Sequence, residues 1–312
     1  MLKKKALKKI FISSLALIIV SVLYLFPDSY RKNEIKEEVI MSDVKKWALY
    51  IPNKDNYVSR IMVIVKEDDI IKKVNEIISY LTINNSYNDY LPNFINPIIP
   101  KNTKVLSIDL DDDLLKINFS KEFLNVSKQD EKKLIESLVY SLTEIKEINK
   151  IMIFVDNNLL NKLPNSSEKL PLTLDRNIGI NTMYEITDFK DTNLVTTYYL
   201  SKDNDYYYYI PISKLTNTGK EKIEVIINEL QSAPIYQTNL MSFLNSKAKL
   251  LDYEILEKEI SLSFNNYLLN DISKKEILEE VKYSIALSIR DSYNTYKTIF
   301  NVDDYKEEVN LN

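Results

Sequence analysis

The sequence predicts an α+β protein made of two small tandem domains that lie outside a membrane. Two observations predict this arrangement: one pattern of strands and helices occurs twice, and a lysine-rich amino terminus precedes an apolar segment. The repeat pairs Phe119 with Phe264 at an offset of 145 residues. The same offset pairs Val105 with Leu250, without a gap. A chain of 312 residues has room for about two domains at roughly 100–200 residues each.

Residues 1–27 are predicted to be a cytoplasmic lysine cluster and a transmembrane anchor. The run from Ile10 to Phe26 is uncharged, and as a helix it would extend about 25 Å, near the lower limit for crossing a bilayer. Five lysines before it predict a cytoplasmic amino terminus: Lys3, Lys4, Lys5, Lys8 and Lys9. We therefore expect a single-pass protein of the cell membrane with extracytoplasmic C-terminal domains. A cleaved signal peptide is the alternative, although residues 23–26 lack the small side chains that cleavage prefers.

Residues 28–45 are rich in charge and predict a short stalk, after which the first domain spans 46–160. Apolar runs at 47–51 and 57–65 flank a turn that contains Pro52 and predict a hairpin. The spacing of the next apolar residues predicts one face of a helix: Ile70, Ile71, Val74, Ile77, Ile78 and Leu81.

A second hairpin is predicted at 105–110 and 115–119, followed by a long helix and a closing strand at 151–155. Leu115 and Ile117 alternate with polar residues, which predicts one buried face. Ser127 with Asp130 resembles a capping box at the start of the long helix.

The second domain, 194–309, repeats this order after a segment at 161–193 that we call the strap. The strap contains apolar residues around Pro171 and Gly179, so we expect it to pack against a domain. Strands are predicted at 194–200, 206–210, 249–255, 260–264 and 298–302, with helices between them. Ser273 with Glu276 predicts a second capping box, ahead of the last helix.

Composition excludes most catalytic chemistry. Histidine and cysteine are absent, which removes thiol nucleophiles, Ser-His pairs, disulfides and the usual zinc sites. Two glycines, Gly179 and Gly219, are too few for a glycine-rich phosphate loop. We expect no enzyme, no cofactor and no metal.

The predicted extracytoplasmic part is acidic. Without the five anchor lysines, 36 basic side chains stand against 45 acidic ones, a net charge near −9. Nucleic-acid binding needs a basic surface, so no nucleic-acid partner is expected.

Three groups of side chains are candidate sites. Asp109, Asp111, Asp112 and Asp113 could bind Ca²⁺, but without the EF-hand glycine and distal glutamate a hairpin turn explains them more simply. A pair of carboxylates could cleave glycan, but the candidates are most simply solvated helix faces: Glu136, Glu144, Glu147 and Glu224. Four consecutive tyrosines could stack on sugars, pack in the core or form a protein interface: Tyr206, Tyr207, Tyr208 and Tyr209.

Three segments of the first copy match a known motif: Ile99 to Ser107, Ile117 to Phe123, and the helix end that reaches Glu144. With these segments the first copy resembles the GerMN domain of the GerM family of sporulation and spore germination proteins. Asn102 stands where the family has glycine. The positions that match the family motif are expected to be structural: Ile99, Pro100, Thr103, Phe119, Ser120, Phe123 and Glu144. In the second copy Asn265 replaces Ser120 and Leu268 replaces Phe123, so the first copy is expected to contact the main partner.

The resemblance implies a fold and a role. Each domain should be a mixed or antiparallel sheet with two helices on one face, in the order ββαββαβ, similar to the ring-building motifs of secretion systems. The implied role is a non-enzymatic scaffold or assembly factor in sporulation or germination. Its partners would be other membrane or extracytoplasmic proteins, such as a sporulation channel complex, with self-association as a further option. The alternatives are a peptidoglycan-binding or wall-remodelling protein and a regulatory partner of a membrane sensor.

Overall fold

The structure, a computed structural model, describes residues 45–185, 192–232 and 239–311. The predicted anchor at 1–27 and nearly all of the stalk at 28–45 lie outside these residues. Within the described ranges, every helix is too short or too polar to cross a membrane. From Lys45 onward the chain forms one compact unit, so the predicted domain boundaries stay predictions.

The first copy contains the predicted hairpin, helix, hairpin, helix and strand in that order. The elements are β1 (Lys46–Pro52), β2 (Val58–Ile64), α1 (Ile70–Leu81), β3 (Val105–Asp111), β4 (Leu114–Phe119), α2 (Glu131–Leu142), β5 (Lys150–Val155) and β6 (Asn158–Leu159). The Asp69 carboxylate caps α1 by accepting from the backbone N–H of Lys72 at 3.0 Å. The predicted apolar face of α1 is buried at Val74, Ile77 and Leu81.

The second copy repeats these elements. The strap contributes β7 (Met183–Glu185), and the second copy consists of β8 (Asn193–Asp203), β9 (Tyr206–Thr216), α3 (Lys222–Gln231), β10 (Leu250–Ile255), β11 (Glu259–Phe264), α4 (Glu279–Tyr293), β12 (Lys297–Val302) and β13 (Tyr305–Asn310). Strands β6, β7 and β13 were not predicted. β6 and β13 each fold back antiparallel on the closing strand of their copy.

The sheets differ from the expected one sheet per copy. The second hairpin and closing strand of each copy form a four-stranded mixed sheet, β3-β4-β5-β6 in one and β10-β11-β12-β13 in the other. The first hairpins of both copies instead join in a five-stranded central sheet. In that sheet β2 pairs with β9 at Arg60 and Tyr209, while β7 and β8 also pair with β9. The two copies therefore share a sheet because each presents its second strand to the other.

Local geometry is repeated along with the elements. The β3–β4 ladder is irregular between Val105 and Ser107, and the β10–β11 ladder is irregular at the equivalent place, between Leu250 and Asp252. Asn102 has a φ of 67°, the left-handed backbone region that glycine and asparagine tolerate best. Asparagine thus serves at this turn where the family has glycine.

Neither predicted capping box forms. The Ser127 hydroxyl donates to the Asp130 carboxylate at 2.7 Å, so neither side chain caps α2. Ser273 instead donates both its N–H and its hydroxyl to Asp271, in a turn that ends before α4 begins at Glu279. In both cases the serine hydroxyl donates to a nearby aspartate and does not accept from a helix N–H group. The spacing of residues in the sequence does not show this competing partner.

The described part of the strap lies against both copies. Leu174 and Ile151 exchange two backbone hydrogen bonds of 2.8 Å each. The Asn181 side chain exchanges hydrogen bonds of 2.8 Å with the backbone of Val58, and it donates to the Pro211 carbonyl at 2.8 Å. Its amide group therefore links β2 to β9.

Candidate functional site

Two buried tyrosines meet where the copies join. Tyr50 lies on β1 and Tyr198 lies at the equivalent place on β8, and neither is exposed to solvent. Their phenolic oxygens are 2.8 Å apart. The backbone N–H of each tyrosine donates to a serine hydroxyl of its own copy at 2.9 Å, Ser141 for Tyr50 and Ser288 for Tyr198. Each copy thus builds its tyrosine site in the same way.

A carboxylate accepts from each tyrosine. The Tyr50 hydroxyl donates to Glu144 Oε1 at 2.8 Å, and the Tyr198 hydroxyl donates to Asp291 Oδ2 at 2.5 Å. Glu144 follows Ser141 by three positions, and Asp291 follows Ser288 by three. Both carboxylates therefore lie three residues after the serine of their copy, Glu144 just past the end of α2 and Asp291 in the last turn of α4.

Two arginines neutralise these carboxylates. Arg290 Nη1 donates to Glu144 Oε2 at 2.8 Å, so a residue of the second copy pairs with one of the first. Arg290 Nη2 also donates to the Tyr50 hydroxyl at 2.9 Å. Arg176, from the strap, donates to Asp291 Oδ1 at 2.6 Å and lies over the rings of Tyr140 and Tyr50. We call these six residues the junction network: Tyr50, Glu144, Arg176, Tyr198, Arg290 and Asp291.

The electrostatics of the junction network favour its charged form. Burial alone would raise the pKa of Glu144, but the charges of Arg290, Arg176 and Arg60 lower it to about 2. Burial raises the pKa of both Tyr50 and Tyr198, which keeps their hydroxyls protonated as donors. The network is therefore a set of buried ion pairs and hydrogen bonds.

A cavity of about 350 Å³ opens beside the junction network. Arg176, Arg290 and Asp291 line part of it, together with polar residues of both copies. Both arginines are already paired with carboxylates, Arg176 with Asp291 and Arg290 with Glu144.

The carboxylates predicted to be solvated helix faces fall into two groups. Glu147 and Glu224 are exposed, but Glu144 is only 3% exposed and belongs to the junction network. Glu136 is also 3% exposed, and burial raises its pKa to about 7 although its carboxylate accepts from the Asn181 N–H at 3.2 Å. The solvated interpretation was wrong for these two because the central sheet and the strap cover their helix.

The family-motif positions of the first copy lie in and around one loop-strand unit. Ile99 and Pro100 are buried, and the Thr103 hydroxyl donates to the Pro100 carbonyl at 2.6 Å. Phe119 and Phe123 are buried and stacked with ring centroids 4.4 Å apart. These side chains hold the local fold.

Ser120 has a structural task that the second copy keeps. Its hydroxyl accepts from the Lys104 N–H at 3.0 Å, and Asn265 accepts in the same way from the Lys249 N–H at 2.9 Å. Asparagine therefore replaces serine without loss of the hydrogen bond, although Asn265 does not match the family motif in sequence.

The tyrosine run divides between the two sides of β9. Tyr206 and Tyr208 lie near Phe94 of the first copy, with ring centroids 5.6 and 4.6 Å from it. Tyr208 is buried, while Tyr207 is 46% exposed and packs against Lys202. Tyr206 and Tyr208 thus contribute to contacts between the copies.

The aspartate run forms the predicted turn. Asp111 pairs with Leu114 in the β3–β4 ladder, and Asp112 takes a φ of 53°. Lys116 donates to Asp111 at 2.8 Å. No group of three or more potential metal ligands occurs in the described part of the chain.

Sequence reasoning missed five of the six members of the junction network and gave the sixth, Glu144, no interaction role. The signal was present in the repeat but at a different offset: Tyr50 and Tyr198 are 148 residues apart, and Ser141 and Ser288 are 147 apart. An alignment fixed at 145 residues places none of these pairs together. The arginines carried no repeat signal, since Arg290 aligns with Thr143 when the serines are matched.

The chain is similar to a described family and to known proteins. The family described as "Sporulation and spore germination" (Germane) matches residues 48–161. Spore germination protein GerM of Bacillus subtilis is 28% identical over 290 residues, which cover 91% of this chain and 78% of that protein. The solved tandem GerMN domains of the sporulation protein GerM from Bacillus subtilis match with a TM-score of 0.76 and 25% identity, covering 84% of this chain and 92% of that one.

Proposed function

This chain belongs to the GerM family of sporulation and spore germination proteins, with tandem GerMN domains, and we propose that it acts as a non-enzymatic, membrane-anchored scaffold. Its work would be done by protein–protein contacts of the extracytoplasmic domains. Its partners would be other membrane or extracytoplasmic proteins, such as the subunits of a sporulation channel complex. Self-association of the chain is a further part of the proposal.

The junction network is the observation that supports the proposed scaffold role. The side chains of Glu144, Arg290 and Asp291 are each at most 5% exposed, and Arg290 of the second copy pairs with Glu144 of the first. Buried pairs of this kind fix geometry, because a displaced partner would leave an uncompensated charge in the interior. The two copies would therefore present their surfaces to partners in one fixed relative arrangement.

Free sheet edges supply surfaces for such contacts. Among the described strands, β3 and β10 end their sheets and have no strand on their outer side. Leu106 on β3 and Leu251 on β10 occupy equivalent positions and are 48% and 66% exposed. Exposed strand edges with apolar side chains are common sites of association between proteins.

Membrane anchoring rests on the sequence. Five lysines followed by the uncharged run from Ile10 to Phe26 are typical of a single-pass anchor with a cytoplasmic amino terminus. Fusion of a reporter that is active only outside the cytoplasm to residue 312 should give an active reporter in the membrane fraction. A soluble reporter would favour cleavage of the segment.

Deletion of the gene in the encoding organism tests the scaffold role. The expected result is a fall in heat-resistant spores together with mislocalisation of membrane proteins of the sporulation complex. An allele with Glu144→Gln and Arg290→Met tests whether the fixed junction is required, and Tyr267→Ala, an exposed change in the second copy, is the control. Normal numbers of heat-resistant spores in the deletion strain would refute the proposal.

A further inference from the structure

A second cavity, of about 520 Å³, opens where β2 and β9 separate. These strands pair only at Arg60 and Tyr209, and the cavity is lined by residues beyond that point, including Met62 and Ile64 on β2 and Tyr206 at the start of β9. Three tyrosines of the first copy complete its walls: Tyr80, Tyr87 and Tyr90. The cavity therefore requires both copies, because Tyr206 comes from the second.

Glu76 gives this cavity an unused hydrogen-bond acceptor. The residue lines the cavity and is only 4% exposed. Its Oε2 accepts from the backbone N–H groups of Lys66 and Glu67 at 3.0 and 3.2 Å. Its Oε1 has no hydrogen-bond partner in the described part of the chain. A buried carboxylate oxygen without a donor is costly, so it points to a donor supplied by a ligand.

The walls restrict what that ligand can be. Tyr80 and Tyr87 meet edge to face at 4.9 Å, and Tyr90 is 75% exposed, so aromatic surface faces the opening. Lys46 and Lys66, both exposed, place positive charge at the rim. A cationic ligand would be repelled by these lysines, whereas a ligand that carries hydroxyl or amide donors together with a carboxylate fits both the rim and Glu76.

We propose that this cavity binds an acidic glycan. A sugar ring would pack its C–H face on the tyrosine rings and donate a hydroxyl or amide N–H to Glu76 Oε1. The carboxylate of an acidic sugar would face Lys46 and Lys66. This binding is separate from the scaffold role, so either can fail while the other holds.

Calorimetric titration of the purified full-length chain in detergent tests the site. The probe is a peptide-free tetrasaccharide of alternating N-acetylglucosamine and N-acetylmuramic acid, and the neutral comparison is the N-acetylglucosamine tetramer. The acidic sugar should bind about tenfold tighter at low salt, and the difference should shrink at high salt because the lysines are exposed.

Two substitutions locate the binding. In Glu76→Gln the amide oxygen can keep the bonds to the Lys66 and Glu67 N–H groups, while an NH₂ group replaces the free acceptor, so affinity should fall about tenfold or more. Tyr90→Ala should lower affinity without loss of stability, because Tyr90 is 75% exposed. Tyr267→Ala is the matched control: Tyr267 is also exposed, at 47%, and it lies outside the cavity, beside Lys247.

Several results would overturn the proposal. One is that neither sugar binds, and another is that Tyr90→Ala and Glu76→Gln both bind as the unchanged chain does. Displacement of the sugar by a short apolar peptide at equal concentration would assign the cavity to a peptide instead. If Glu76→Gln does not fold, Tyr90→Ala alone decides the outcome.

Discussion

The phenolic oxygens of Tyr50 and Tyr198 lie 2.8 Å apart, although 148 residues separate the two tyrosines in the chain. Each hydroxyl donates to a carboxylate of its own copy, and the Arg290 guanidinium donates to the Tyr50 oxygen. This contact joins the copies at the centre of the junction network.

Replacement of Tyr50 by phenylalanine should lower the free energy of unfolding by about 1.5–3 kcal/mol, the usual contribution of a hydrogen bond to a charged group. The change removes the donor to Glu144 and the acceptor for Arg290 while it keeps the ring. Urea denaturation followed by circular dichroism measures it. Tyr207→Phe is the control, because that ring is 46% exposed, and an equal loss in both variants would contradict the prediction.

Arg290→Met should cost about 3–5 kcal/mol, because it leaves the Glu144 carboxylate buried with one strong partner fewer. Adding Glu144→Gln should restore part of this loss, so the double variant should be more stable than the sum of the single changes predicts. Lys306→Met removes an exposed pair with Glu308 and should change stability by less than about 1 kcal/mol. Strict additivity of the two junction changes would show that the residues are not coupled.

Acid should destabilise the fold through Glu144. Its pKa is about 2 in the folded protein, below its ordinary value in the unfolded chain, so the unfolded state binds the proton first. Its contribution, on the order of 3 kcal/mol, should be present above pH 5 and lost as the pH falls towards 2. Unfolding free energies across this range should fall less steeply for Glu144→Gln than for the unchanged chain. Parallel curves would contradict the assignment.

Glu136 should act in the opposite direction. Burial raises its pKa to about 7 in the folded protein, so the folded state holds a proton that the unfolded chain has released. Stability should therefore fall as the pH rises from about 4.5 to 7, by on the order of 3 kcal/mol. Glu136→Gln should remove this dependence, with a gain in stability at pH 8 and little change at pH 4. Glu147→Gln, an exposed change just beyond the same helix, should leave the profile unaltered.

Serine and asparagine should be exchangeable where β4 and β11 end. Ser120→Ala should cost about 1 kcal/mol, because the Lys104 N–H loses its acceptor. Ser120→Asn should restore most of that loss, since Asn265 makes the same bond to Lys249. Thermal melts of the three chains separate these outcomes. Equal losses of stability for the alanine and asparagine variants would show that asparagine cannot make the Ser120 hydrogen bond in the first copy.

Patterns with a local cause could be predicted from the sequence. The buried face of α1 depends on neighbouring side chains and occurs as expected. In β4 Leu115 and Ile117 are buried as expected, but Asn118, expected on the solvated face, is buried as well. The family resemblance, carried by the segments around Ile99 and Phe119, was confirmed by the match over residues 48–161.

Contacts between the copies could not be predicted in the same way. Strand β2 pairs with β1 in its own copy and also with β9, and the second pairing depends on which edge of each hairpin stays uncovered. The role of Glu144 depends on Arg290, which is distant in the sequence. The 147-residue and 148-residue offsets were detectable, but they follow insertions that a single gapless alignment does not show. Arg176 lies in an irregular segment and gives no periodic signal.

The contacts at the junction join residues to their own counterparts. Tyr50 meets Tyr198, and β2 pairs antiparallel with β9, as identical subunits do across the axis of a twofold dimer. In a true homodimer, a substitution at such a contact would appear on both sides at once. In a single chain that carries both halves, each side can change alone, which is how one half can hold Thr143 where the other holds Arg290. Because one chain contains both copies, a positive charge such as that of Arg290 can be present in one copy and absent at the equivalent position of the other.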